Sequence, residues 1–277
     1  MKRIVRVLTA LLVLAVMLSV AGCTKLKARD QLNKGVQSYR NQRFEEAIEH
    51  FKTAIALDPT LLNAKLYLAT AYANLYVPGS ETAENLRAAN QAIDEFKDVL
   101  KDDPKSVGSV KGIASLLFNM KKFDEAKEYY QKAIAVDPND PENYYSVGVI
   151  DWTQTYAPRM EIRSKIPGMK PTDSLVDKKA CAEVKAKNAE KAEEGIKVLG
   201  EALKLRPDYD DAMAYMNLMY RERADYECDD KDARAADLKT ADEWVDKTLL
   251  TKRQKAEKAG QTSGIVLEEK KPDEPAK

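Results

Sequence analysis

The chain has 277 residues, with 45 basic and 45 acidic side chains and one histidine, so its formal net charge is zero. No basic excess exists to neutralise phosphates, which argues against a nucleic-acid partner. The length suits one elongated domain or two compact ones, and the 44% hydrophobic fraction is rich in alanine, as closely stacked helices require.

At the N-terminus Lys2, Arg3 and Arg6 precede a run from Val7 to Val20 that is apolar apart from Thr9 and Ser19. That run is short for a membrane span, which needs about 20 apolar residues, and suits the core of a signal peptide over residues 1–22. It ends in Val20-Ala21-Gly22-Cys23. Small residues directly before a cysteine resemble the lipobox of bacterial lipoproteins. The resemblance implies cleavage before Cys23, diacylation of its thiol and acylation of the new amino terminus with palmitate-type chains. An ordinary secretory signal with an incidental cysteine is the alternative. Each buried methylene contributes about 0.8 kcal/mol, and two or more chains hold where a single one anchors only marginally. Thr24 stands where an aspartate would resemble an inner-membrane retention signal, so the expected location is the outer membrane, facing the periplasm. Cleavage removes Lys2, Arg3 and Arg6 but no acidic residue, leaving a net charge near −3.

After a short linker, 23–27, three segments end alike: Phe51-Lys52-Thr53-Ala54-Ile55-Ala56-Leu57-Asp58-Pro59, Tyr130-Gln131-Lys132-Ala133-Ile134-Ala135-Val136-Asp137-Pro138 and Leu199-Gly200-Glu201-Ala202-Leu203-Lys204-Leu205-Arg206-Pro207. Phe96 to Pro104 is a weaker copy. Gly35, Phe44, Ala47, Phe51 and Ala54 precede Pro59 at the spacings by which Ala114, Phe123, Ala126, Tyr130 and Ala133 precede Pro138. Small residues at such places let two helices approach, and the aromatics fill the space between successive pairs. Pro104 and Pro138 are 34 residues apart. The pattern resembles the tetratricopeptide repeat, whose period is 34 residues. The resemblance implies an all-α, right-handed superhelical solenoid of about five helix-turn-helix repeats over 28–250, each repeat pairing a helix A with a helix B.

Three repeats are interrupted, each between helix A and helix B. In repeat two, helix A spans Leu62–Leu75; Pro78-Gly79 breaks the chain, and Ser80 reads as the cap of a lengthened helix B carrying Ala92 and Phe96. In repeat four, helix A spans Pro141–Tyr156 with Gly148 at the small position. Pro158, Pro167, Gly168 and Pro171 then predict an irregular loop, and from Ser174 the sequence turns helix-friendly through Gly195, Leu199 and Ala202. Repeat five begins near Asp210 with Met213, Met216 and Tyr220, and its helix B falls around Ala233–Leu250. Residues 251–277 are charged and end in proline-rich sequence, which predicts a disordered tail.

Cys181 and Cys228 remain after lipidation, in an oxidising compartment. They lie 14 and 13 residues before Gly195 and Ala241, equivalent positions of neighbouring helices B, so both project along one edge of adjacent repeats. A disulfide is expected, closing a loop for about 4 kcal/mol in the chain-entropy model; two unpaired thiols are the alternative. No chemistry-bearing motif accompanies them. His50 stands beside the packing aromatic Phe51 and reads as a surface or interface residue. Asp225, Glu227, Asp229, Asp230 and Asp232 invite a calcium reading, but the loop glycine is missing and Ala236 stands where a bidentate glutamate is needed. A helix-capping acidic loop accounts for them better. No catalytic residue, metal or cofactor is expected.

In tetratricopeptide proteins one face of each helix A lines a concave groove. Carried onto this chain, those positions fall on Tyr39, Arg40, Asn74, Lys111, Phe118, Asn119, Tyr145, Trp152, Leu218 and Arg221. Tyr, Trp and Arg are the residues that most often anchor interfaces; packing of Trp152 or Phe118 beneath the insertions is the alternative. The family's clamp for C-terminal carboxylates needs a lysine and an asparagine where this chain has Leu32 and Val36. The resemblance therefore implies a membrane-anchored scaffold or adaptor in the bacterial envelope, holding a protein or peptide in its groove, as in outer-membrane or envelope-complex assembly. A self-associating or complex-bracing subunit that uses the edge insertions is the alternative.

Overall fold

The computed structural model describes residues 24–170, 173, 175–227 and 230–262, and every regular element among them is helical. Residues 1–23, 171, 172, 174, 228, 229 and 263–277 lie outside the described residues, and with them the signal peptide, the lipidation site, Pro171 of the expected loop, Ser174, one of the two cysteines expected to pair and most of the expected tail. The chain divides into two compact units, Met1–Asp137 and Pro138–Lys277. The first holds α1 (24–40), α2 (Phe44–Leu57), α3 (Leu62–Leu75), α4 (Ala83–Asp102), α5 (Val107–Asn119) and α6 (Phe123–Val136). The second holds α7 (Pro141–Ser164), α8 (Lys178–Leu205), α9 (Asp210–Ala224) and α10 (Lys231–Thr262).

The prolines set the helix ends. Helices α2, α4, α6 and α8 each stop two residues before Pro59, Pro104, Pro138 or Pro207. The residue before a proline is pushed out of the α region, so the helix must finish there. The four capping residues share one backbone conformation: Asp58 has φ −143°, ψ 91°, and Asp103, Asp137 and Arg206 lie within about 12° of it. The α1–α2 and α5–α6 turns are copies of each other. In each, a residue at positive φ (Gln42 at 59°, Lys121 at 60°) follows the helix. The next N–H reaches back five residues, Arg43 to the Ser38 carbonyl and Lys122 to the Leu117 carbonyl, both at 2.9 Å. This is the Schellman arrangement, which satisfies carbonyls that the helix end leaves open.

Close approach within each hairpin follows from the glycines. A Cβ on Gly35 would stand 2.5 Å from the Phe51 ring, and one on Gly148 2.6 Å from Leu199 Cγ. Both pairs join the small position of a helix A to the large residue of its helix B, as the repeat pattern requires.

The interruptions are more ordered than the sequence suggests. Helix α4 starts after Thr82, whose hydroxyl accepts the Asn85 N–H, so Thr82 and not Ser80 is the cap. Asn85 decides this: its amide bonds both the N–H and the carbonyl of Val77 and also the Ser80 carbonyl, at 2.7 to 2.9 Å, holding Ser80 in the loop.

In the fourth repeat the expected loop at 157–164 is helix. α7 continues through Pro158, although that residue has no N–H to offer the Gln154 carbonyl. Beyond the proline, Arg159 and Arg163 bond to the end of α9, and Ile162 and Leu175 enter a core with Val184, Ala192, Leu199 and Met216. Most of the insertion is thus a lengthened α7–α8 hairpin. Likewise α10 runs to Thr262, past the end expected at 250. Lys255, five residues beyond that expected end, bonds to Asp210 at 2.6 Å and ties the added turns to α9.

Candidate partner-binding faces

In the first unit the residues read onto the helix-A face fall into two groups. The Asn74 amide donates to the Tyr39 hydroxyl at 2.9 Å, and the Tyr39 ring meets Phe44 and Tyr67 edge-on, 5.5 and 6.2 Å between centroids. Arg40 beside them is exposed. Phe118 packs edge-on against Phe123 at 5.7 Å, and the Asn119 carbonyl accepts the Tyr76 hydroxyl at 3.2 Å. Lys111 is half-buried about two helix turns before them on α5.

In the second unit the predicted residues converge more closely. Trp152 from α7 and Leu218 and Arg221 from α9 line one cavity of about 300 Å³. Trp152 lies between Tyr156, 5.1 Å away on its own helix, and Tyr215 of α9, which it meets edge-on at 5.4 Å. Tyr145 belongs to the same aromatic cluster but not to the cavity. Its ring packs against Tyr209 at 5.0 Å and Tyr215 at 5.6 Å, and burial raises its hydroxyl pKa. Tyr145 and Trp152 both rest half-buried on the unit's core. Arg221 bonds to Asp242 of α10 at 2.6 Å and to Asn217 at 2.8 Å.

Beneath the cavity is a buried charged cluster that the sequence does not announce. Arg163 Nη1 lies 2.9 Å from Asp225 Oδ2, and Arg159 reaches both Asp225 (3.1 Å) and Glu222 (3.0 Å). Glu222 is fully buried, and burial lifts its carboxyl to about 7 against the opposing pull of Arg159. On the far side of α9, Arg223 grips Asp237 with two nitrogens, 2.7 and 2.5 Å. Glu227 nearby is raised to about 7 by burial and by the Asp237 carboxylate.

Of the acidic run, Asp225 faces the arginines and Asp230 caps α10 by accepting from the Asp232 and Ala233 N–H groups, while Asp229 lies outside the described residues. His50 contacts the Gln31 amide at 2.8 Å. Cys181 is buried and faces a cavity shared with Tyr226, Glu227 and Asp230 of the α9–α10 turn.

Tyr156 and Arg234 also line the Trp152 cavity, and sequence reading passed over both. Tyr156 follows Trp152 at a spacing of four, which the helical period alone brings to one face. Arg234 carries no such signal, because the register of α10 is displaced from the repeat.

Two stretches, residues 28–61 and 111–140, match family models for the tetratricopeptide repeat. Among curated relatives, the mitochondrial import receptor subunit TOM70 of Rattus norvegicus is 28% identical over 173 residues, covering 59% of this chain and 28% of the receptor. Hsp70-Hsp90 organizing protein 3 of Arabidopsis thaliana is 27% identical over 115 residues, covering 42% of this chain and 19% of that protein. The chain thus spans less than a third of the relatives it matches. Among solved structures, the MamA protein superposes with a TM-score of 0.57 at 16% identity, over 83% of this chain and 94% of MamA. MamA from residue 41 to its end, from Desulfovibrio magneticus RS-1, gives 0.54 at 19%, over 82% and 96%. The two matched stretches are tetratricopeptide repeats and the fold is all-helical among the described residues, like that of the MamA structures.

Proposed function

We propose that the chain is a lipid-anchored scaffold of a bacterial envelope that holds a polypeptide partner on the helix-A faces of its repeats. The observation that carries this is the convergence of Trp152, Leu218 and Arg221, read separately from two repeats, on one cavity with an aromatic wall. Rigid aromatics and arginine at a concavity are the usual anchors of protein recognition. The relatives' names describe an import receptor subunit and an organizing protein of Hsp70 and Hsp90, and a role in holding other proteins is the reading carried over here. The Ala21-Gly22-Cys23 sequence supports lipidation at Cys23, and Thr24 an outer-membrane address on the periplasmic side. Assembly of an outer-membrane or envelope complex is the corresponding task.

In an oxidising compartment we further expect Cys181 to pair with Cys228. Glu227 and Asp230, which bracket the second cysteine in sequence, line the cavity that Cys181 faces. Thiol titration of the denatured, unreduced lipoprotein is predicted to find no free thiol; two would contradict the pairing.

Self-association is the second reading. It is favoured by the tip of the α7–α8 hairpin, where Val176 is 81% exposed beside Ile166 and Met169 around a cavity of about 270 Å³. Crosslinked capture of the acylated protein from its own envelope separates the two, run beside Trp152→Ala and Leu218→Ala variants. A defined partner lost by both variants supports the scaffold. A partner retained by both contradicts the groove residues, and recovery of the chain alone favours self-association.

A further inference from the structure

Charge in the Trp152 cavity is unevenly satisfied. Of its arginines, Arg159 is engaged with Glu222 and Asp225, and Arg221 with Asp242. Of its aspartates, Asp225 is held by Arg159 and Arg163, and Asp173 accepts the backbone N–H of Lys170 at 2.8 Å. Arg234 of α10 differs. Among the described residues its buried Nε has no hydrogen-bond partner and its guanidinium forms no ion pair.

A buried donor left open is costly, and a group that fills it recovers the loss. The guanidinium is a fixed fork whose geometry matches a carboxylate bidentately. Around it the wall is apolar: Trp152, Tyr156, Leu218 and Leu238. The cavity is about 300 Å³, and an apolar cavity of about half that volume already accepts a benzene ring. There is room for an apolar side chain and an acidic one together.

We infer that this cavity is a recognition site for an acidic residue adjoining a large apolar one on a partner polypeptide, with Arg234 receiving the carboxylate. The inference rests on the scaffold reading and adds to it the chemistry that the site selects. Arg234 is suited to this because its guanidinium braces no other side chain among the described residues. The cavity's other two arginines hold α7, α9 and α10 together and are not free to turn outward.

The test is selection of a displayed random-peptide library on the full-length chain. The strongest peptide is then synthesised with its acidic residue intact and as the Gln or Asn counterpart, and both are titrated against wild type, Arg234→Gln and Arg234→Lys. The expected consensus pairs Asp or Glu with Phe, Trp, Tyr or Leu. Wild type should prefer the acidic form by about tenfold or more. Arg234→Gln should bind both forms alike, and Arg234→Lys should keep part of the preference. Unchanged thermal melting is expected, because no ion pair is lost. A consensus without an acid, or a preference that persists in Arg234→Gln, overturns the inference and leaves the scaffold standing. Failure of the chain to select any peptide counts against both.

Discussion

Arg163 Nη1 lies 2.9 Å from the carboxylate of Asp225, the two side chains being 4% and 8% exposed, and this pair joins the far end of α7 to the end of α9. Arg163 also donates to the carbonyls of Lys170 and Asp173, so one guanidinium fixes both the helix beyond Pro158 and the turn that follows it. Without Arg163, Asp225 keeps Arg159 while the two carbonyls lose their donor, and losing hydrogen bonds to a charged group costs about 1.5–3 kcal/mol. Arg163→Ala is therefore predicted to lower stability in urea by that amount, with early proteolysis at 165–177. A melt equal to wild type would show that the lengthened hairpin stands without it.

Glu222 gives the second unit a pH dependence of definite sign. Its folded carboxyl sits at about 7, above the unfolded value of 4.5, with Arg159, Arg163, Asp225 and Asn188 around it. Between those values the folded state holds more protons than the unfolded one, so stability falls as pH rises through the window. The same holds for Glu227. Carboxyls held low, such as Asp98 and Asp210, act below that window and in the opposite sense. Glu222→Gln is predicted to be more stable than wild type at pH 8, with the difference closing toward pH 4.5. A variant less stable than wild type at pH 8 would mean that the Arg159 contact outweighs burial.

Two glycines predict opposite responses to the same change. A Cβ at Gly148 would meet the branch point of Leu199 at 2.6 Å, whereas at Gly200 the nearest atom is Met216 Cε at 4.0 Å. Overpacking costs about 1–3 kcal/mol. Alanine in a helix otherwise gains about 0.5–1 kcal/mol over glycine. Gly148→Ala should destabilise and Gly200→Ala should stabilise, as measured by thermal melting.

The paired turns offer a stabilising substitution. Gln42 and Lys121 hold positive φ without being glycine. Left-handed backbone costs an L residue about 1–2 kcal/mol, part of which glycine's greater unfolded entropy offsets. Gln42→Gly and Lys121→Gly are each predicted to raise stability by about 0.5–1 kcal/mol. A loss in either would show that the side chain contributes contacts of its own.

Much of the fold was legible because its rules are local. The prolines at 59, 104, 138 and 207 mark four helix ends, and Leu62–Leu75 is a helix over the range its pattern predicts. Gly35 with Phe51 and Gly148 with Leu199 meet as the repeat register requires. What escaped was decided at a distance. Pro158 is a helix breaker by every local rule, and the bonds that carry α7 past it come from Glu222 and Asp225, more than sixty residues on. Ser80 and Thr82 are equally able caps, and the Asn85 amide chose between them. The site divides the same way. Trp152, Leu218 and Arg221 line the cavity at positions that follow the repeat, while Arg234 sits on a helix that has slipped out of its register.

The most direct measurement places a photo-crosslinking benzophenone residue at Leu218, inside the cavity, or at Lys197, exposed on α8 outside it. Each full-length protein is irradiated in the cells that express it. The scaffold account predicts a discrete adduct with a second polypeptide from position 218 and none from position 197. Adducts of equal yield from both positions, or from position 197 alone, would contradict it.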